Sequence, residues 1–226
     1  MRLFNFYSVI FILLTTTVNL SAQQDITTFL GIPIDGFKPE MIAKLKSKGF
    51  KNSQFLQDVL NGEFNGANVN LHIVTNNNKV YRIMVADENG MDESDIKIRF
   101  NNLCQQFQNN SRYIFATPNS ECKINDSEKI SFEMAIKSKR YEAVFYQVSD
   151  SNFEELKSYL ISKYSQEQLS NQSEEFKKQS LSDSTLYFAQ KQLNKIVWFM
   201  ITEVSGKYYI TMFYDNEFNR AKGEDL

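Results

Sequence analysis

Residues 196–214 read IVWFMITEVSGKYYITMFY and decide the fold. β-branched and aromatic residues, which favour strands, fill both arms of this stretch. Ser205-Gly206 lies between the arms, and glycine in a two-residue loop suits a β-hairpin turn. We therefore predict a hairpin of Ile196–Val204 and Tyr208–Tyr214. Its turn sets three cross-strand pairs, which are Trp198 with Phe213, Met200 with Thr211, and Thr202 with Tyr209.

The two faces of this hairpin differ in composition. One face is apolar and aromatic throughout and is expected to form the main core with Val197, Phe199, Ile201, Ile210, Met212 and Tyr214. The other face is interleaved with threonine and presents Trp198, Met200, Tyr209 and Phe213. Strands with two apolar faces are usually buried on both, which favours a second layer under a helix or loop. The alternative is an exposed patch, in which case these four residues form a face for a ligand or partner.

Two further stretches alternate as hairpins do. Residues 69–73 precede an asparagine loop at 76–78, and a three-residue loop pairs Ile73 with Tyr81, Leu71 with Ile83 and Val69 with Val85. Residues 130–136 alternate in the same way against 141–145, with a two-residue turn at Ser138-Lys139. That register predicts that Phe132 is buried opposite Phe145.

Three helices are expected between the hairpins. The first spans 39–48 and begins with proline, which suits the first helical turn. The second spans 92–109, with Asp92 or Ser94 as its cap. The third begins with the capping-box pattern Ser151-x-x-Glu154.

The order of these elements indicates the fold class. Helix and hairpin alternate three times, which predicts an α+β protein: an antiparallel β-sheet built from successive hairpins, with about three helices packed on one face. Residues 165–183 are polar and are expected to form a loop or a weak extra helix, and Thr185–Ala189 could add a strand. We expect residues 23–226 to form a single domain or two similar halves packed together.

The first 22 residues have the pattern of a secretory signal peptide. Arg2 precedes the apolar run Val9–Leu14, and Ala22 stands before a polar stretch. A membrane anchor needs about 20 nearly unbroken apolar residues, and Thr15–Thr17 interrupts this run. No cysteine stands near the expected cleavage point, so a lipid-anchored cysteine is excluded. We expect cleavage near Ala22, a periplasmic or secreted protein, and no transmembrane segment after cleavage.

Charge and cysteine content narrow the classes further. The chain has 25 basic and 27 acidic residues, and this near-balance argues against a nucleic-acid binder, which usually carries a concentrated basic surface. An aromatic content of 14% favours a packed core over disorder. Cys104 and Cys122 permit a disulfide in an oxidising compartment. The other interpretation is a buried thiol at Cys104 and an unrelated loop thiol at Cys122.

The sequence lacks the common catalytic motifs. His72 is the only histidine, and neither G-x-S-x-G nor H-E-x-x-H is present. Residues 87–95 are rich in oxygen ligands but do not match the EF-hand spacing, which favours a solvated turn and a helix cap over a calcium site. We therefore assign no catalytic residue, no metal and no cofactor from the sequence.

Several stretches resemble an uncharacterised group of exported proteins from gut-type Bacteroidales bacteria. These stretches are Phe29–Gly36, Leu45–Phe50, Gly62–Gly66, Val197–Ile201, Tyr208–Tyr214 and Gly223–Leu226. The likeness runs over most of residues 23–226. It implies export and a bacterial envelope setting, and it implies no activity and no site residues.

These observations favour one function and leave alternatives open. The expected function is an exported, non-catalytic binding or interaction module whose ligand is an unknown protein or glycan of the bacterial envelope. A related alternative is an interaction protein whose partner covers the aromatic face. The third is a hydrolase whose carboxylate-based site is assembled only in the fold.

Overall fold

The computed structural model describes residues 25–116, 122–170, 173–191, 195–221 and 223. The predicted signal peptide, residues 1–22, lies outside the described residues. Within them the chain has the predicted α+β architecture, with six α-helices and a mostly antiparallel β-sheet.

Eight strands form one sheet, and a small hairpin precedes it. The small hairpin consists of β1 (Thr28–Phe29) and β2 (Ile32–Pro33). The strands of the main sheet are β3 (Lys51–Asn52), β4 (Val59–Phe64), β5 (Ala67–Asn76), β6 (Lys79–Asp87), β7 (Tyr113–Phe115), β8 (Glu142–Gln147), β9 (Ile196–Val204) and β10 (Lys207–Asp215). Their order in space is β3-β4-β5-β6-β10-β9-β8-β7, and each neighbouring pair is antiparallel. Two four-stranded meanders therefore meet where β6 pairs with β10.

The β9–β10 hairpin has the register that the sequence predicts. Trp198 lies opposite Phe213, and Met200 lies opposite Thr211. Ser205 and Gly206 form the turn with φ angles of 53° and 76°. These left-handed values match a tight two-residue hairpin, whose twist suits the flanking strands.

The β5–β6 hairpin differs from the prediction by two residues in register. Its loop has two residues, Asn77 and Asn78, both with positive φ, and Leu71 consequently lies opposite Val85. A bulge between Val74 and Thr75 accompanies this shorter turn. Because the shift is even, the apolar residues of β5 still face the core, as side chains alternate with a period of two.

In the described ranges, six helices cover the sheet or lie beside it. They are α1 (Lys38–Ser47), α2 (Glu93–Gln108), α3 (Ile130–Lys137), α4 (Asp150–Lys163), α5 (Gln166–Leu169) and α6 (Glu174–Lys191). The first two agree with prediction, and Asp92 caps α2 by accepting the Ser94 and Asp95 N–H groups at 3.0 and 2.9 Å. The segment 87–95 is thus partly a helix cap, as the sequence favours.

The strand predicted at 130–136 is wrong, because this segment is helix α3. Glu93 accepts the backbone N–H of Ile130 at 2.6 Å and the Ser131 hydroxyl at 2.8 Å, so a distant carboxylate satisfies the start of the helix. Ile130 is fully buried, but Phe132 is 50% exposed. The expected burial of Phe132 is therefore wrong as well.

The region between α4 and β9 is also more helical than predicted. Thr185–Ala189 lies inside α6 and is not a strand. Helix α4 begins two residues earlier than expected: Ser149 is its N-cap, and Ser149 and Asn152 form the capping box in place of Ser151 and Glu154. Polar helices of this kind carry a weak apolar stripe, which explains the missed assignment.

The main core lies between α1–α3 and one face of the sheet, and it contains Met41, Leu45, Phe100, Leu103, Ile130 and the inner residues of β5, β6 and β8–β10. A smaller cluster on the opposite face joins α4 and α6 to the end of the sheet through Tyr146, Leu156 and Phe188. Cys104 and Cys122 form a disulfide, with their Cα atoms 5.7 Å apart. The disulfide attaches α2 to the segment that leads into α3.

Candidate functional site

The sheet face opposite α1–α3 carries the four residues that the sequence singles out. Val197 and Phe199 point into the main core, so alternation places Trp198 and Met200 on the other face. Helices α4 and α6 pack against this face near Tyr146 and Ile196, at the end of the sheet. Beyond that end, Trp198, Met200 and Tyr209 are half-buried, and Phe213 is 9% exposed. We call this surface the open face.

Trp198 and Phe213 form a tight pair at the middle of the open face. Their ring centroids are 4.0 Å apart, and the rings are inclined by only 18°. The indole Nε1 of Trp198 donates a hydrogen bond to Asp215 Oδ2 at 3.1 Å. The polar end of the indole is thereby satisfied, and the ring is held in one orientation.

Arg82 completes this arrangement from the neighbouring strand β6. Its Nε and Nη2 atoms donate to the two carboxylate oxygens of Asp215 at 2.6 and 2.7 Å. The Asp215 carboxylate is almost fully buried, and its hydrogen bond raises the pKa of Arg82. The guanidinium carbon also lies 4.8 Å from the centroid of the Phe213 ring, within cation–π range. We call Arg82, Trp198, Phe213 and Asp215 the Trp198 cluster.

The other two predicted residues lie further along the hairpin. Met200 is next to the Trp198 cluster and opposite Thr211. Tyr209 is paired with Thr202 and lies at the far end, where its hydroxyl approaches Gly90. A Cβ atom at position 90 would come within 2.7 Å of that hydroxyl oxygen. The structure therefore brings three of the four predicted residues together and places Tyr209 apart.

A groove of about 470 Å³ forms a second concave feature. It lies between the β1–β2 hairpin, the start of β7, the end of β8 and the residue that precedes β9. Its lining includes Asp25, Phe29, Phe64, Asn110, Arg112, Tyr113, Gln147, Lys195 and Tyr214. The sequence alone assigns no function to any of these residues.

Gln147 connects the β1–β2 hairpin to the main sheet at this groove. Its Oε1 accepts the backbone N–H of Thr28 at 2.7 Å, and its Nε2 donates to the Thr28 carbonyl at 3.0 Å. The same Nε2 donates to the Tyr113 hydroxyl at 3.2 Å. One amide side chain thus satisfies both backbone groups of Thr28 and orients Tyr113.

The two cationic side chains in the described lining of the groove differ: one lies in an ion pair and the other does not. Lys195 is 3% exposed, and its Nζ atom lies 2.5 Å from Asp25 and 3.1 Å from Asn152 Oδ1. Burial raises the pKa of Tyr113, although the positive charge of Arg112 opposes that rise. Arg112 itself is exposed, and among the described residues no carboxylate lies within ion-pair distance of it. The described lining thus carries one paired cation and one unpaired guanidinium.

The alternative to a binding function is a hydrolase, which would need two carboxylates facing each other in a cleft. Asp25 is the one acidic residue in the described lining of the groove. A shallower depression is lined by Glu63 and Asp87, but Asp87 is bound to Arg99 at 3.0 Å. Among the described ranges no cluster of three or more His, Cys, Asp or Glu residues is placed to hold a metal. The hydrolase therefore stays a prediction without a located site.

Comparison with known proteins and a search of the helices for membrane spans give two negative results. No family model, no curated protein and no solved structure matches this chain. In the part of the chain that the structure describes, no helix is both long enough and apolar enough to cross a bilayer.

The sequence missed two members of the Trp198 cluster. Neither Arg82 nor Asp215 stands out as a site residue in the sequence alone. The available signal was a charged residue at the end of a strand otherwise filled with apolar residues, which in a buried position needs a charged partner. The groove had no such local signal, because its residues come from separate parts of the chain.

Proposed function

We propose that the protein is an exported, non-catalytic binding module of the bacterial envelope and that it binds its partner through the open face. One observation supports this most strongly: the Trp198 indole is half-buried and keeps part of its surface exposed, yet it is stacked on the buried Phe213 ring and bonded to Asp215, which Arg82 holds in a salt bridge. Tryptophan and arginine are the residues that most often dominate binding energy at protein interfaces.

Rigidity favours binding at this surface. A side chain that is already fixed loses little rotamer entropy when a partner covers it, so more of the contact energy appears as affinity. The hydrogen bond from Trp198 to Asp215 and the stacking on Phe213 both fix the indole before any partner arrives. Neighbouring Met200 adds a flexible apolar side chain, which adapts to irregular partner surfaces.

The arrangement of the rings favours a protein partner over a glycan. A sugar would stack on a free aromatic face, but Phe213 has Trp198 on one side and the Arg82 guanidinium within 4.8 Å of its ring. The half-buried Trp198 indole and Met200 side chain remain for contact, whereas the buried Phe213 ring supports the indole from beneath. These suit an apolar protein surface, with a polar rim at the half-buried Thr202.

The experiment uses the mature protein, residues 23–226 with a C-terminal tag, to capture partners from a detergent-solubilised envelope fraction. Capture by the wild type is compared with capture by two variants. We expect Trp198→Ala to lose the captured partner and to remain folded, because the half-exposed indole contributes less to stability than a buried one. Ile98→Ala is the matched control, since Ile98 is 59% exposed on α2, on the other side of the sheet. Unchanged capture by a folded Trp198→Ala variant would overturn the proposal.

A further inference from the structure

We propose that the groove between the β1–β2 hairpin and the β7–β8 edge binds a small carboxylate that carries a ring. This site shares no residue with the Trp198 cluster, so it stands independently of the proposed function. Its volume of about 470 Å³ falls within the range of small-molecule sites, which combine an apolar wall with a few polar groups that fix the ligand's orientation.

Aromatic rings form the apolar wall. Phe29 lies 5.1 Å from Phe64 and 4.9 Å from Tyr214, measured between ring centroids. Phe29 and Tyr214 are nearly fully buried and form the floor, whereas Phe64 and Tyr113 are half-buried and present surface to the groove. Such a wall accepts the flat apolar face of a ring.

The charge of the groove selects an anion. Lys195 is neutralised by Asp25, which leaves the exposed guanidinium of Arg112 as the charge with no carboxylate in ion-pair range among the described residues. A guanidinium binds a carboxylate with two parallel hydrogen bonds, which are stronger than neutral ones. Arg112 and the aromatic wall line the same groove, so a carboxylate attached to a ring engages both.

Neutral polar groups complete the site. A tyrosine hydroxyl carries its proton at neutral pH, and burial raises the pKa of Tyr113 further. Gln147 holds that hydroxyl in place at 3.2 Å, and Asn110 lines the adjacent wall. The side chain of Asn110 is placed for a hydroxyl of a sugar acid, since Gln147 already donates its amide hydrogens to Thr28 and Tyr113. An aromatic acid would use the same guanidinium and the same wall without the Asn110 contact, so the two ligand types share the carboxylate and the ring.

The test is calorimetric titration of the mature protein with four probes: glucuronate, benzoate and their uncharged counterparts glucose and benzyl alcohol. We expect at least one acid to bind and its uncharged counterpart to bind at least about tenfold more weakly, since charge-assisted hydrogen bonds are roughly twice as strong as neutral ones. Binding of glucuronate alone identifies a sugar acid, and binding of benzoate alone identifies an aromatic acid.

Variants assign the binding to the groove. Arg112→Gln should weaken the acid at least about tenfold, because the guanidinium supplies the charge-assisted contacts. Arg140→Gln is the matched control, since Arg140 is exposed and pairs with Glu142 on another part of the surface. Trp198→Ala should leave acid binding unchanged, which separates this result from the test of the open face. Failure of both acids, equal binding of acid and uncharged probe, or an unaffected Arg112→Gln variant would each overturn the proposal.

Discussion

The two faces of the central sheet use aromatic pairs for different ends. On the face covered by α1–α3, Phe145 and Phe199 stack with centroids 6.1 Å apart, and Phe107 packs on Phe145 at 4.8 Å. On the open face, Trp198 stacks on Phe213 and is tied to a buried salt bridge. The first set stabilises the fold because its rings are fully removed from water. In the second set the Trp198 ring stays partly exposed, and polar groups hold it in place.

The polar groups around Trp198 distinguish it from an aromatic side chain that is simply exposed. An aromatic side chain that is merely left in water has no need of a buried carboxylate to orient it. The Asp215 carboxylate is expensive to bury, and Arg82 and Trp198 Nε1 offset that cost with three hydrogen bonds. A ring held at this cost in one orientation suits a surface that must present a fixed shape to a partner, which is the basis of the proposed binding role.

Among the substitutions considered, the largest loss of stability is expected on the covered face. Phe199→Ala should lower the free energy of unfolding by about 3–5 kcal/mol, because the ring is fully buried among Phe100, Phe107 and Phe145. Denaturant melts measure the change. Phe132→Ala is the control and should cost less than about 1 kcal/mol, because Phe132 is half-exposed. Equal losses for the two variants would contradict the assignment of the faces.

The disulfide beneath the covered face should give the next effect. Replacing Cys104 and Cys122 together with alanine opens a link between positions 18 residues apart, and loop closure of that length contributes about 3 kcal/mol. Thermal melts of the variant and of the reduced wild type should agree. Free thiols detected in the unreduced, unfolded protein would show that the bond does not form.

The salt bridge behind the open face should contribute less than the core. Asp215→Ala removes the acceptor for Arg82 and Trp198 and should cost about 2–3 kcal/mol, since a partly buried guanidinium and an indole N–H lose their partner. Asp215→Asn keeps the shape and one acceptor and should cost less. Equal stability of the alanine variant and the wild type would show that the cluster is not held as described.

The smallest effect concerns pH and His72, which lies opposite Met84. Burial, followed by the positive charge of Lys38, lowers the pKa of His72 from its ordinary value of 6.5. The unfolded chain therefore takes up this proton first as the pH falls. The contribution of His72 is fully present above the unfolded pKa and is lost as the pH drops below it.

Unfolding measured at pH 7.5 and pH 5.5 checks this sign. His72→Gln removes the titrating group, so its stability should fall less over this interval than that of the wild type. A steeper fall in the variant would reverse the expected direction. The carboxylates titrate in both proteins, so the difference between the two isolates His72.

Some of the fold could be predicted because its signals are local. The Ser205-Gly206 turn alone sets the β9–β10 register. The signals for α1 and α2 are equally local: α1 has a proline in its first turn, α2 has the Asp92 cap, and each has its own apolar stripe. Strand β4 was missed because Gly62 weakens its pattern. The structure shows why glycine is there: a Cβ atom at that position would lie 2.4 Å from the Phe50 ring.

The remaining errors come from contacts that are distant in sequence. Residues 130–137 alternate as a strand does, but Glu93 caps them as a helix from 37 residues away. The α6 helix buries Asp183, which Lys163 neutralises at 2.8 Å, so its buried side is not an apolar stripe. For the same reason the Arg82–Asp215 pair, 133 residues apart, gave no signal as a site.

The most direct test of the open face uses the fact that the chain has one tryptophan. The mature protein labelled with 5-fluorotryptophan should give a single fluorine resonance, and that resonance reports on Trp198 alone. We expect it to shift or broaden when the captured envelope partner is added, and to stay unchanged with a fraction depleted of that partner. An unchanged resonance while the same sample demonstrably holds the bound partner would contradict the account, since the partner would then occupy another surface.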